Sequence, residues 1–337
     1  MISYIIKRLL LAVITLTIIL LVSYIMLRLA PGDPTRSDML TGTGETVNSQ
    51  SGFLTQNNSL REKLNLDKPV LTGFILWLGN ILRNGDFGES ATVEPGRKVT
   101  DIIAERAWFT IKLNLWAIFI TYLLSIPIGV FSAARAGTLF DRSCETVLFI
   151  LYSLPVMWVG LLLQAWLCEG GKFPIFPLSA MPPDPETLHL SIWEYQWQQL
   201  RHTVLPVICL TYAGFAGLSR YTRGSVLQNI HSDYIRSARA KGLSENRILW
   251  KHAFGNALIT MVTLFSGILP SLIAGSVIVE YIFNLPGMGT LSLQALSSRD
   301  YPLQMALFTF AGTLTLTGIL LADLLYIAVD PRIRLTK

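Results

Sequence analysis

Charged residues are scarce in this sequence. Asp, Glu, Lys and Arg make up 15% of its 337 residues, whereas hydrophobic residues make up 51%. Soluble domains carry roughly 25% charged residues, and the mean hydropathy here is +0.48. The composition therefore argues against a soluble globular protein and predicts an integral membrane protein.

Residues suited to redox, metal or nucleotide chemistry are also few. The three cysteines, Cys144, Cys168 and Cys209, are far apart, and the four histidines show no His-x-x-x-His spacing. The phosphate-cradling loop Gly-x-x-x-x-Gly-Lys-Ser/Thr is missing from the sequence. We therefore expect no disulfide, metal, cofactor or catalytic site on this chain.

Six stretches without Asp, Glu, Lys or Arg are long enough to cross a hydrocarbon layer of roughly 30 Å as helices. Each must be helical, because lipid offers no hydrogen-bond partner to an open backbone. The stretches are Leu9–Leu27, Leu113–Ala134, Thr146–Cys168, Thr203–Ser219, Ala257–Val279 and Pro302–Ala322. The sequence therefore predicts an all-α membrane protein with six transmembrane helices.

The first stretch has two interpretations. Lys7 and Arg8 precede it, as charged residues precede the apolar region of a signal peptide. This apolar run is longer than usual for a signal peptide, and no small-x-small cleavage site follows it. We favour a retained first helix that ends before Pro31 and Pro34.

Lys and Arg near the span ends predict the orientation, since cytoplasmic loops carry an excess of both. The outer loops lean acidic, with Glu169, Asp184, Glu186 and Glu194 against Lys172 and Arg201. The basic residues that mark the cytoplasmic side are Lys7, Arg8, Arg135, Arg142, Arg220, Arg223, Arg236, Arg239, Lys241, Arg247, Lys251, Arg332, Arg334 and Lys337. Both termini are therefore expected in the cytoplasm, and the net charge of +5 indicates orientation rather than nucleic-acid binding.

The loop between the fourth and fifth spans has the pattern of two short helices. Ser232 is suited to cap the first helix, and Gly242 is suited to end it. Tyr234, Ile235 and Ala238 fall on one face at helical spacing. This apolar face has no obvious partner within so short a loop. Periodicity leaves two uses open: docking in a groove of another protein, or lying on the inner leaflet.

Tyr234 to Gly242, YIRSARAKG, followed by Leu243-Ser244-Glu245, resembles the coupling-helix motif of ABC importer permeases, more narrowly the dipeptide/oligopeptide (peptide/nickel) branch. Arg236-Ser237-Ala238 stands where the general motif has Glu-Ala-Ala. Further landmarks in the same order extend the resemblance over nearly the whole chain. They are the Tyr4–Pro34 opening, Leu66-Asp67-Lys68-Pro69, Gly85-Asp86-Phe87-Gly88-Glu89-Ser90, EYIFNLPGMG from Glu280 to Gly289, Arg299-Asp300-Tyr301-Pro302, Asp323-Leu324-Leu325-Tyr326 and Asp330-Pro331-Arg332-Ile333-Arg334.

The resemblance implies a type I ABC importer permease fold in a multi-pass inner-membrane protein. The implied partners are a second homologous permease, two ABC ATPase subunits that bind ATP and Mg, an extracytoplasmic solute-binding protein and the bilayer. The first short helix would couple to an ATPase. The implied coupling residues are Tyr234, Ile235, Arg236, Ser237, Ala238, Arg239, Ala240, Lys241, Gly242, Leu243, Ser244 and Glu245.

Four regions follow from the spans and the resemblance. Residues 1–30 form an N-terminal tail and the first helix, and 31–107 form an extracytoplasmic segment. Residues 108–330 form the permease core, with coupling helices at about 232–253. Residues 331–337 form a cytoplasmic tail.

A turn on the predicted outer side is a candidate outer gate. It comprises Glu280, Pro286, Gly287 and Gly289. The glycine-proline pattern fits a purely structural turn equally well. For Glu280 a solvated loop charge is the favoured interpretation, with a role at the outer mouth as the alternative.

The sequence departs from the family at one landmark. The family shows Leu-Arg-Asn-Ala-Leu-x-Pro after the coupling helices, where this chain has Phe254-Gly255-Asn256-Ala257-Leu258-Ile259-Thr260. The expected function is import of peptides as half of a translocation pathway. The alternatives are import of a nickel chelate or glutathione, or an ion-coupled secondary transporter, which would need paired charges inside the spans.

Overall fold

The structure is a computed structural model that describes residues 2–29, 67–178, 191–258, 272 and 275–329. These residues are mainly helical. The α-helices in chain order are α1 (Ile2–Leu29), α2 (Val70–Asn84), α3 (Val99–Ala134), α4 (Leu139–Ser153), α5 (Val156–Leu167), α6 (Ile192–Ile230), α7 (Asp233–Ala240), α8 (Glu245–Arg247), α9 (Val277–Ile282), α10 (Met288–Ser298) and α11 (Tyr301–Val329), and a π-helix covers Ile248–Phe254.

Within the described residues, four helices are long and apolar enough to cross a membrane: α1, α3, α6 and α11. A fifth crossing is formed if α4 and α5 count as one broken span, bent by 92°. The predicted third span is therefore two helices. Most of the predicted fifth span, 257–279, lies outside the described residues, so six crossings remain consistent with the structure.

The break between α4 and α5 follows from Pro155. A residue that precedes proline is pushed out of the helical region, and Leu154 is extended, with φ −78° and ψ 126°. Pro155 then occupies the N-cap position of α5. The sharp bend is thus a local consequence of one Leu-Pro step.

The long helices present apolar side chains outward. On α1, for example, Val13 is 63% exposed and Met26 is 67% exposed. In water such a helix would leave a large apolar surface unburied, whereas in a bilayer the acyl chains cover it. This confirms an all-α integral membrane protein.

The chain divides into two compact units, of which the first comprises Met1–Trp108 and Thr290–Thr317. In it α1 packs on α2 through an aromatic cluster. Tyr24 meets Phe74 edge-on with ring centroids 5.7 Å apart, and Trp77 packs 6.0 Å from Phe74. Gly85, at φ +63°, ends α2 in the left-handed region that favours glycine.

A buried carboxylate organises the loop that precedes α3. Asp300 is fully buried, and its Oδ2 accepts hydrogen bonds from Ser90 Oγ and from the backbone N–H groups of Thr92 (3.0 Å) and Val93 (3.1 Å). Its Oδ1 accepts from the N–H of Leu303 at 3.2 Å, at the start of α11. Asp300 therefore fixes the loop to this helix.

The second unit comprises Phe109–Gly289 and Gly318–Lys337. One apolar cluster in it joins α3, α5, α6 and α9 through residues that include Leu113, Cys209 and Phe283. Gln164 of α5 donates from Nε2 to the carbonyl of Ile282 at 2.9 Å. This amide thus provides a hydrogen-bond donor to a backbone carbonyl at the end of α9, as polar side chains within apolar spans commonly do for neighbouring helices.

Candidate functional site

The helix α7 begins and ends close to where the sequence predicts. Ser232 is its N-cap residue, although the hydroxyl donates to the carbonyl of Asn229 at 2.6 Å and makes no capping bond. Gly242 has φ +77°, and its N–H donates to the carbonyl of Arg239 at 2.9 Å. The result is an eight-residue helix, about 12 Å long.

One face of α7 is buried against the rest of the chain. Ile235 is fully buried and Ala238 is nearly so. Their cluster includes Val130 and Ala133 of α3, Val226 of α6, and Ile248, Leu249 and Ala253 of the π-helix. The expectation that this face has no partner within so short a loop is wrong, because the π-helix that follows in the same loop contacts it. The partners on α3 are about a hundred positions away, beyond the reach of a local pattern.

The opposite face of α7 and the following turn point to solvent. Of the predicted coupling residues, the exposed ones are Tyr234, Arg236, Ser237, Arg239, Ala240, Lys241, Gly242, Ser244 and Glu245, and Leu243 is half-buried. Asp233, the first residue of α7, is exposed as well. The placement of Tyr234 on the apolar face with Ile235 and Ala238 is wrong, because Tyr234 is 40% exposed and its hydroxyl donates to Asn229 Oδ1 at 2.9 Å. The surface that α7 offers to another protein is therefore its polar, basic side, while the apolar side anchors it.

An ion pair closes the turn between α7 and α8. Arg239 donates from Nε to Glu245 Oε1 at 2.8 Å and from NH2 to Oε2 at 3.2 Å. This hydrogen bonding lowers the pKa of Glu245 below its ordinary value and raises the pKa of Arg239. Both groups are therefore charged at neutral pH, and their two parallel bonds fix the geometry of the turn.

The second helix of the pair is short and changes type. Ser244 is the N-cap of α8, as predicted, but after Arg247 the chain continues as a π-helix. Trp250 packs edge-on against Phe131 of α3, with centroids 6.0 Å apart, and against Phe254 at 5.6 Å. No sequence pattern predicts this π-helix, a form frequent at functional sites.

A buried ion pair supports the same region, and the sequence analysis missed it. Asp141 of α4 accepts from Arg223 of α6 at both oxygens, at 2.7 and 2.8 Å. It also accepts from Ser132 Oγ and from the Gly137 N–H. Only 2% of the Asp141 side chain is exposed. This network ties α3, α4 and α6 together beside the residues that pack on α7.

The candidate outer-gate residues lie in a separate cluster. Glu280 is only 2% exposed, so its favoured interpretation as a solvated loop charge is wrong. Thr110 of α3 donates to Glu280 Oε1 at 3.5 Å and accepts from the N–H of Met288 at 2.9 Å. The turn at Pro286 thereby brings the start of α10 to α3.

Glycines make room for the Glu280 carboxylate. A Cβ atom on Gly287 would stand 2.6 Å from both carboxylate oxygens, and one on Gly289 would stand 2.9 Å from Oε2. Gly275, at φ +67°, faces the same side chain. Larger residues at these positions would expel the carboxylate or open the turn. The glycine spacing was the available sequence signal for this arrangement.

Long apolar helices and a short helix pair anchored on them describe a membrane-embedded protein. Comparison with known proteins gives the family: the chain belongs to the binding-protein-dependent transport system inner membrane components, whose profile matches residues 125–335. The N-terminal profile of such membrane components matches residues 1–114. Chains of this family are non-catalytic permease subunits of ABC transporters.

Several curated relatives match along their full length. The chain is 38% identical to the oligopeptide transport system permease protein AppB of Bacillus subtilis, covering 99% of both chains. It is 31% identical to the dipeptide transport system permease protein DppB of Lactococcus lactis, covering 99% of this chain and all of the relative. The peptidoglycan transport system permease protein YejB of Agrobacterium fabrum is 31% identical, with 98% of both chains covered.

Proposed function

We propose that this permease subunit forms half of a pathway that imports peptides. Relatives named for oligopeptide and dipeptide transport match over nearly the whole chain, which supports a peptide cargo. The proposed partners are a second permease of the same family, an extracytoplasmic binding protein and two ATPase subunits. ATP and Mg would bind on the ATPase subunits, since this sequence lacks the phosphate-cradling loop.

The observation that carries the coupling mechanism is that one face of α7 is buried and the opposite face is exposed. Ile235 and Ala238 bind the helix to α3, α6 and the π-helix, while Arg236 and Ala240 face outward. We propose that an ATPase subunit receives this outward face in a groove. A displacement of α7 would then move the residues packed beneath it. ATP binding shifts the transporter between states only if it favours one of them.

The proposed orientation places α7 and both termini in the cytoplasm of the cell, with the inner membrane as the location. The positive-inside distribution of Lys and Arg supports it. The turn at Glu280, in the same unit as α7, would then face outward. We propose that this turn, with Pro286, Gly287 and Gly289, acts as the outer gate.

The first experiment is purification of the tagged chain from native membranes in mild detergent, followed by mass spectrometry. We expect a second permease and two P-loop ATPases to co-purify, and peptides with the binding protein to stimulate ATP hydrolysis. Arg236→Glu reverses a charge on the outward face, where the side chain is 76% exposed. This variant should weaken ATPase co-purification.

Arg83→Glu is the matched control, because Arg83 is also exposed but lies at the end of α2. It should leave the recovery of ATPase unchanged. Recovery of the chain alone, under conditions that keep other membrane complexes intact, would contradict the proposed assembly. Equal loss of ATPase in both variants would contradict docking at α7.

A further inference from the structure

A cavity lies between α4 and α6 in the second unit. Its volume is about 410 Å³, within the range of roughly 300–1,000 Å³ typical of small-molecule sites. The lining residues are Glu145, Tyr152, Gly217, Arg220, Tyr221 and Arg223. They combine charges of both signs with two aromatic rings, an unusual lining for apolar helices that cross a membrane.

Arg220 provides the positive end of this cavity. It is the first charged residue after the uncharged run from Thr203 to Ser219, and its guanidinium lies 6.0 Å from the centroid of the Tyr152 ring. Among the described residues, no carboxylate is within ion-pair distance of it. Charged side chains at such positions usually face a pathway or a polar cavity, because exposure to lipid is costly.

Glu145 provides the negative end. It accepts from Arg223 NH1 at 2.9 Å, but Arg223 also binds Asp141 through Nε and NH2. One guanidinium thus serves two carboxylates, which leaves an excess of negative charge at Glu145. Half of the Glu145 side chain is exposed. The cavity therefore has separated charges of opposite sign.

The two charged ends lie on different turns of the helices that line the cavity. Glu145 and Tyr152 are two turns, about 10 Å, apart along α4, whereas Arg220 and Arg223 are one turn, about 5 Å, apart along α6. An extended peptide of two or three residues spans about 7–10 Å. Its terminal carboxylate carries the charge that Arg220 attracts, and its terminal ammonium carries the charge that Glu145 attracts.

We propose that this cavity binds a short zwitterionic peptide in transit, with the carboxylate on Arg220 and the ammonium towards Glu145. The inference rests on the proposed peptide function and adds a binding site to it. Tyr152 and Tyr221 contribute ring surfaces that accept varied side chains. A charge-assisted hydrogen bond to Arg220 should favour a free carboxylate over an amide by about tenfold.

The test uses the transporter purified with its native partners and reconstituted in vesicles. Uptake of trialanine is compared with uptake of trialanine amide, and their ratio is measured for the wild type, Arg220→Gln and Arg220→Lys. Any preference of the binding protein itself cancels when the ratios of variants and wild type are compared. Arg220→Gln should lower the acid-to-amide ratio about tenfold, and Arg220→Lys should retain most of it.

Arg135→Gln is the matched control. Arg135 also lies over an aromatic ring, 5.4 Å from the Phe140 centroid, but does not line the cavity, so its ratio should equal that of the wild type. The site is refuted if Arg220→Gln lowers uptake of both peptides equally or changes neither. The site is also refuted if the effect of Arg220→Gln on the acid-to-amide ratio vanishes in vesicles without anionic lipid. That result would indicate that Arg220 binds a lipid phosphate. A wild type that transports neither peptide would overturn the peptide function itself, and this site with it.

Discussion

Replacing Asp141 by Asn should destabilise the protein far more than replacing Glu145 by Gln. Both carboxylates bind Arg223, but 2% of the Asp141 side chain is exposed against 49% for Glu145. Removing one partner of a buried pair typically costs 3–5 kcal/mol. In Asp141→Asn, Arg223 remains paired with Glu145 and is 19% exposed. We therefore expect a loss of about 3 kcal/mol in the free energy of unfolding, at the low end of that range. An exposed pair contributes about 0–1 kcal/mol, which bounds the effect of Glu145→Gln.

Thermal unfolding of the purified transporter, in one detergent and at one protein concentration, measures this difference. Asp141→Asn should lower the midpoint by several degrees, since about 1 kcal/mol corresponds to roughly 2–4 °C in chains of about 150–250 residues. Glu145→Gln should lower the midpoint by less than the amount that corresponds to about 1 kcal/mol. Equal shifts in the two variants would show that burial of the Asp141–Arg223 pair does not set its strength.

Two further predictions concern the packing of α7 and of the outer turn. Ala238→Asp buries an unpaired charge and should reduce the yield of folded protein. Ala240→Asp, on the exposed face, should leave the thermal midpoint within a degree or two. Equal yields of the two variants would contradict the burial of the face that contains Ala238. Gly287→Ala places a methyl group 2.6 Å from the Glu280 oxygens and should cost about 1–3 kcal/mol in thermal unfolding. Adding Glu280→Ala should recover part of this loss. Gly79→Ala, with nothing within 4 Å, should be neutral, and a matching loss there would contradict the proposed crowding.

Much of the fold is predictable because lipid restricts a spanning chain to apolar helices. The uncharged runs locate α1, α3, α6 and α11. Pro155 interrupts the third of the six uncharged runs and can kink a helix, but the size of the bend does not follow from the sequence. Hydropathy measures the length of an apolar run and does not detect a bend within it. The run from Thr146 to Cys168 is therefore predicted as one span.

In the candidate site, too, some features are predictable from local sequence, whereas others depend on contacts between residues far apart in the chain. Gly242 and the Ile235–Ala238 spacing are local signals, and both predict the structure. The partners of that face, on α3 and α6, depend on tertiary packing. The Asp141–Arg223 pair joins residues 82 positions apart, and no periodicity encodes it. The assignment of the coupling residues to ATPase docking stays a prediction.

One helix, α3, contacts both clusters of the candidate site. Thr110 bonds the outer turn through Met288 and Glu280, and Val130 packs in the cluster that holds α7. The twenty residues between them correspond to about 30 Å of helix. A displacement of α7 can therefore reach the turn at Pro286 through α3. Pro127, one turn before Val130, weakens the helix on this path because it removes a backbone donor. Bending of α3 should concentrate there, leaving the part from Thr110 towards Pro127 to move as a rigid piece.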